Sequence, residues 1–103
     1  MTSKYRARAC VIDGIRFHSQ KEGGRYIELK LLAKSGLIKD LKLQPKIPLR
    51  VVGYGLICTY IADFFYTEKG QPVYEDVKGY KTAIYKLKKK LVKALCNIDI
   101  RET

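Results

Sequence analysis

The sequence predicts a single α/β or α+β domain of 103 residues. Two segments carry helical periodicity, and short runs rich in β-branched and aromatic residues lie before, between and after them. No internal repeat or linker divides the chain. Residues 1–8 read as a basic arm containing Arg6 and Arg8. Ala9-Cys10-Val11-Ile12 and Ile15-Arg16-Phe17 then flank Asp13-Gly14, a strong signal for a two-residue hairpin turn. A helix is expected from about Ser19 to Ser35, with Ile27, Leu31 and Leu32 as its apolar stripe and Gly36 as its stop. Lys39 to Val52 is extended, with interruptions at Pro45 and Pro48, and Gly53-Tyr54-Gly55 is a turn. Thr59 to Thr67 reads as one strand and Pro72 to Gly79 as its partner. The second helix covers Thr82 to Leu95, with Ile84, Leu87, Leu91 and Leu95 on one face, and residues 97–101 form a last short strand.

Charge narrows the partners. Lys and Arg number 21 against 10 acids, giving +11, which favours a polyanion: nucleic acid first, an anionic membrane surface second. Apolar residues make up 47% of the chain and eight are tyrosine, unlike a disordered tail. Cys10, Cys58 and Cys96 are odd in number and far apart, and no secretory signal is evident, so a reducing cytoplasm is the expected setting. His18 is the sole histidine and no ligand pair has zinc spacing. The longest uncharged run, Val51 to Ala62, is too short to cross a bilayer, so no membrane partner is expected.

The chemistry concentrates around Asp63, Asp76 and Lys78. A tight turn at Lys69-Gly70 sets a register in which Asp63 lies directly opposite Asp76, with Lys78 on the Asp76 face. Opposed carboxylates repel by roughly 0.2–1 kcal/mol in a sheet, and a divalent cation would convert that repulsion into binding. Asp63 and Asp76 can ligate magnesium, with the Val77 backbone carbonyl as a further oxygen. Lys78 can orient or deprotonate water, or stabilise a pentavalent phosphate. The plainer reading is a surface ion pair among the three. Glu22 either closes a capping box with Ser19 or points into the cation site. Gly23-Gly24, unusual inside a helix, implies a close neighbour there (a nucleic-acid strand is one candidate) or a later helix start. Glu75 falls on the opposite face and is expected to pair with surface lysines. Gln44 reads as an edge-strand polar residue rather than a pocket residue, and His18 receives no catalytic role. Lys81, Lys86, Lys88, Lys89, Lys90 and Lys93, without an acid between Thr82 and Leu95, read as a phosphate-binding face. Tyr85 shares that face or edges the core.

Four short motifs occur in order: Phe17-His18-Ser19-Gln20-Lys21-Glu22, Leu43-Gln44-Pro45-Lys46, Tyr60-Ile61-Ala62-Asp63-Phe64 and Glu75-Asp76-Val77-Lys78-Gly79. From about Lys4 to Ile100 the chain resembles small phage and prophage endonucleases related to Holliday-junction resolvases and transposon end-cleaving nucleases of the PD-(D/E)XK superfamily. The resemblance implies a restriction-endonuclease-like mixed central sheet flanked by helices, an αβββαβ core behind the N-terminal hairpin. It implies catalytic Glu22, Asp63, Asp76 and Lys78, with Mg2+ (or Mn2+ in its place) on the acids. The expected activity is metal-dependent cleavage of branched or structured DNA in a phage-infected or prophage-carrying cytoplasm. Lys81, Tyr85, Lys86, Lys88, Lys89, Lys93, Arg6 and Arg8 are the expected nucleic-acid contacts, and resolving a junction implies a homodimer. Two rival readings are a non-catalytic basic accessory protein and a nuclease fold turned to binding a host protein.

Overall fold

The computed structural model describes residues 9–103, so Arg6 and Arg8 lie outside the described residues. The chain is mixed α/β. The hairpin β1 (Cys10–Ile12) and β2 (Ile15–Phe17) turns at Asp13-Gly14, whose φ values of 54° and 75° are the pair that the two-residue turn requires. Helix α1 (Gln20–Lys34) begins at Ser19, whose side chain accepts the Glu22 amide. Strand β3 (Ile38–Leu43) leads to the hairpin β4 (Lys46–Val51) and β5 (Gly55–Ile61). Strands β6 (Phe64–Glu68) and β7 (Gln71–Asp76), helix α2 (Ala83–Cys96) and β8 (Ile100–Glu102) complete the fold. A four-stranded sheet has the order β3-β6-β7-β8, antiparallel except for the parallel β7–β8 pair. That parallel pair needs the crossover that α2 supplies.

Two apolar clusters hold the layers together. Phe17, Tyr26, Leu29, Ile38, Phe64 and Tyr66 join the first hairpin and α1 to the central sheet. Ile47, Leu49, Tyr60, Ala62, Tyr85, Val92 and Ile100 join α2 to the β4–β5 hairpin and β8.

Three expectations are corrected. First, Thr59 to Thr67 is two strands in two sheets, because the chain bends at Ala62-Asp63. Second, α1 exposes Ile27 and Leu31 and buries Glu22, Gly23, Tyr26 and Leu29. The two aromatic rings Phe17 and Tyr26 pack against each other, centroids 4.9 Å apart, and this contact rather than the aliphatic residues sets the helix rotation. Third, α2 buries Tyr85 and Val92 and leaves Ile84, Leu87 and Leu95 exposed, since Tyr85 fills the space against β5.

The helix start stands where expected despite Gly23-Gly24. The close neighbour of Gly23 is the first hairpin: an added Cβ would sit 2.5 Å from Cys10 Sγ and 2.9 Å from Ile12 Cδ1. Gly24 faces open space, and nothing among the described residues requires glycine there. Gly24→Ala is therefore expected to stabilise the fold by about 1 kcal/mol, while Gly23→Ala destabilises it by roughly 1–3 kcal/mol. Urea denaturation midpoints of the two variants check the opposite signs.

Candidate functional site

The site forms at a bend in a long two-stranded ribbon. One side of the ribbon is β3 running into β4, the other is β5 running into β6. They break opposite each other, at Gln44-Pro45 and at Ala62-Asp63. Gln44 has φ 51° and Pro45 has no N–H, so regular pairing cannot pass through the joint. Two backbone bonds bridge it instead: Gln44 N–H to the Asp63 carbonyl at 3.0 Å and Ala62 N–H to the Pro45 carbonyl at 3.1 Å.

The register across β6 and β7 is the expected one, with Phe64 opposite Glu75 and Glu68 opposite Gln71. Asp63 and Asp76 consequently meet, and each holds the other's strand. Asp76 Oδ1 accepts the Asp63 amide at 2.8 Å, and Asp63 Oδ2 accepts the Val77 amide at 2.8 Å. The Tyr60 hydroxyl donates to Asp76 Oδ2 from the inner face of β5. At Val77 the backbone amide is the group that bonds to the site's acids.

Helix α1 brings the third acid. Glu22 is 8% exposed and lines a cleft of about 130 Å³ with Arg16, Gln44 and Asp63. Gln44, read from sequence as an edge residue, belongs to this cleft because its left-handed backbone ends β3 beside Asp63. Lys21 Nζ donates to the Lys78 carbonyl at 3.1 Å and so fastens the start of α1 to the segment after β7. Lys78 Nζ stands over the Tyr85 ring, 4.3 Å from its centroid. The sequence assigns Lys21 and Tyr60 no role beyond their place inside two of the motifs, and it puts Tyr85 on the lysine face or at the core edge.

Electrostatics separate two neighbouring buried acids. Burial raises the pKa of Glu22, Asp63 and Asp76, and Asp63 and Asp76 raise Glu22 further. Lys78 pulls all three back without cancelling the effect, and exposed His18 does the same for Glu22 and Asp63. Glu75, adjacent in sequence and 0% exposed, behaves oppositely. Burial acts to raise its pKa, but hydrogen bonds from Arg25 and Tyr66 outweigh it and the pKa is lowered. Arg25 grips both carboxylate oxygens at 2.7 and 3.0 Å, with Tyr66 and Thr103 completing the set. Glu75 therefore pairs with a half-buried arginine on the far face, not with surface lysines.

These carboxylates are hard oxygen donors, and Asp63 and Asp76 are the pair that could hold a divalent cation together with waters. Among the described residues no three Asp, Glu, His or Cys side chains stand close enough to enclose one ion.

The basic face runs from this cluster along α2. Lys81 and Lys89 pair with Glu102 at 3.1 and 3.2 Å, and Lys93 pairs with Asp99 at 2.9 Å. Lys86, Lys88 and Lys90 make no ion pair among the described residues. Tyr85 is buried, and its hydroxyl donates to Glu102 at 2.6 Å, so it supports the lysines instead of offering its ring to a ligand. Glu102, held by Tyr85 first and then by Lys81 and Lys89, has its pKa lowered to about 2. No helix among the described residues is long and apolar enough to cross a membrane.

Fold and site thus define a basic α/β domain with a cluster of carboxylates, Glu22 and Asp76 buried and Asp63 half-buried, at a bend in its sheet. The family described as Protein of unknown function (DUF1064) matches residues 2–101, and the chain belongs to that family. No curated protein matches the chain. No solved structure matches it either.

The raised and lowered groups predict a stability profile. At pH above the ordinary carboxyl values of 3.8 and 4.5, the folded chain binds more protons at Glu22, Asp63 and Asp76 than the unfolded chain does. Stability is expected to rise as pH falls from neutral to about pH 5. It then falls below about pH 4.5 as Glu75 and Glu102, whose folded values are depressed, take up protons. Thermal midpoints across this range check the shape. Glu22→Gln should flatten the upper limb.

Proposed function

We propose that the chain is a divalent-cation-dependent endonuclease acting on branched or otherwise structured DNA. The observation that carries the reading is the meeting of half-buried Asp63 and buried Asp76 beside buried Glu22 and within the field of Lys78. The element order supports it as well. With the β4–β5 hairpin set aside as an insertion, α1-β3-β6-β7-α2-β8 has the αβββαβ order of the restriction-endonuclease-like core. Phage replication or recombination in a bacterial cytoplasm is the setting that the resemblance suggests. A junction-resolving role would use two copies of the chain.

Asp63 and Asp76 would hold magnesium, with Glu22 acting on a water of its shell. The cation would supply charge for a developing pentavalent phosphate and lower the pKa of water. The chain's own residues do the rest. Tyr60 and the two strand amides fix the aspartates, so little reorganisation accompanies binding. Lys78, propped on Tyr85, offers positive charge at the edge of the acids, where it would orient water or meet a phosphate oxygen. Lys86, Lys88 and Lys90 would meet the backbone phosphates farther along.

One observation favours a non-catalytic basic accessory protein: no three-acid cage is formed among the described residues. Incubation with supercoiled, linear and four-way-junction DNA, with and without magnesium or manganese, separates the two. The nuclease reading predicts metal-dependent nicking, abolished in Asp76→Asn with DNA affinity kept or increased. Cleavage at the wild-type rate in that variant would overturn the assignment. Replacing Lys86 and Lys90 together by Gln should reduce the slope of log affinity against log salt by about 2. An unchanged slope would remove α2 from the interface.

A further inference from the structure

The β4–β5 hairpin ends in apolar side chains that the core does not use. Val52 is 102% exposed and Tyr54 78%, and Leu56 and Ile57 are about half exposed. Its root, in contrast, is fixed: Ile47, Leu49, Tyr60 and Ala62 are core residues. The tip is also a built turn. The Tyr54 amide donates to the Val51 carbonyl at 3.0 Å, and the flanking Gly53 and Gly55 have φ of 82° and 110°. A Cβ at either glycine would meet nothing within 4 Å, so the Tyr54 ring stands between two positions that carry no side chain. The pairing shifts between Leu49 and Arg50, leaving Ile57 unpaired. Such a bulge increases local twist and re-aims the strand end.

Charge selects the occupant. No acid lies between Asp40 and Asp63, while Lys46 and Arg50 point outward from the hairpin. Helix α2, packed behind it, carries no acid, and its Lys86, Lys88 and Lys90 make no ion pair among the described residues, whereas Lys89 and Lys93 are paired with Glu102 and Asp99. At the root of the hairpin, Gln44 and Asp63 line the cleft that also holds Glu22. The six residues of β4 place the tip about 20 Å from that cleft. Apolar and aromatic side chains on a rigid, acid-free, basic support suit a polyanion whose bases have come unstacked.

We propose that this hairpin is a wedge: Tyr54 stacks on an exposed base at a branch or other break in base stacking, and Val52 packs beside it. The inference rests on the nucleic-acid reading above and deepens it by assigning the recognition of branched DNA to a particular element. It also gives a function to the segment that interrupts the αβββαβ order.

The test is equilibrium binding without divalent cation, comparing a four-way junction with linear duplex, both carrying 2-aminopurine at the matching position. The wild-type chain should prefer the junction and brighten the reporter as it unstacks. Tyr54→Ala should lower junction affinity by roughly 5- to 150-fold, the range for stacking a base on an aromatic ring. It should also abolish the brightening and leave duplex affinity unchanged. Tyr54→Phe should behave as wild type. Equal junction preference and brightening in Tyr54→Ala would overturn the wedge alone. So would Tyr54-dependent binding to phosphatidylserine vesicles with junction binding unaffected. A wild-type chain that binds no DNA of any form would overturn both the wedge and the nuclease reading.

Discussion

The mutual grip of Asp63 and Asp76 is the constraint around which the molecule is arranged. Each carboxylate accepts a backbone amide from the other's strand, so the acids close the end of the β6–β7 ladder alongside the backbone bond from the Asp63 amide to the Glu75 carbonyl at 3.1 Å. Charge-assisted bonds of this kind are shorter and stronger than neutral ones, and here they hold two like charges together. The bend at Ala62-Asp63, the end of β7 and the docking of α1 through Lys21 all meet at this point. Two acids held face to face carry an electrostatic cost that an uncharged pair would avoid, and that makes this the place to look for chemistry.

Adjacent residues show how a fold assigns different work to the same functional group. Glu75 and Asp76 are both buried, on opposite faces of one strand. Glu75 faces Arg25, Tyr66 and Thr103 and is held ionised, a structural fastening between α1 and the sheet. Asp76 faces Tyr60 and Asp63, and among the described residues it makes no ion pair. The alternation of a β-strand is enough to separate the two roles. Among the described residues every buried side-chain polar atom has a hydrogen-bond partner, so the shortage at Asp76 is of charge and not of hydrogen bonds.

Local chemistry was legible in the sequence wherever a turn fixed it. Asp13-Gly14 and Lys69-Gly70 set two registers, and the second brought Asp63 to Asp76. Ser19 marked the start of α1 to the residue. What sequence could not supply was the rotation of each helix. In both helices the aliphatic stripe was right only at its edge, where Leu32 and Leu91 pack on the core, because one large aromatic, Tyr26 or Tyr85, holds the centre of the buried face. The bend at Ala62-Asp63 was hidden for a similar reason. Its cause lies across the ribbon, in the left-handed Gln44 and the missing amide of Pro45. The partner of Glu75 was equally remote, fifty positions away at Arg25.

The most direct measurement of the central claim is manganese titration followed by amide NMR, since a paramagnetic ion broadens the residues nearest to it. If the aspartate pair is a cation site, Asp63, Val77 and Glu22 should broaden first, and Asp63→Asn should remove the effect at equal manganese. Broadening that begins at Asp99 or Glu102 instead, or that is unchanged in the variant, would contradict it.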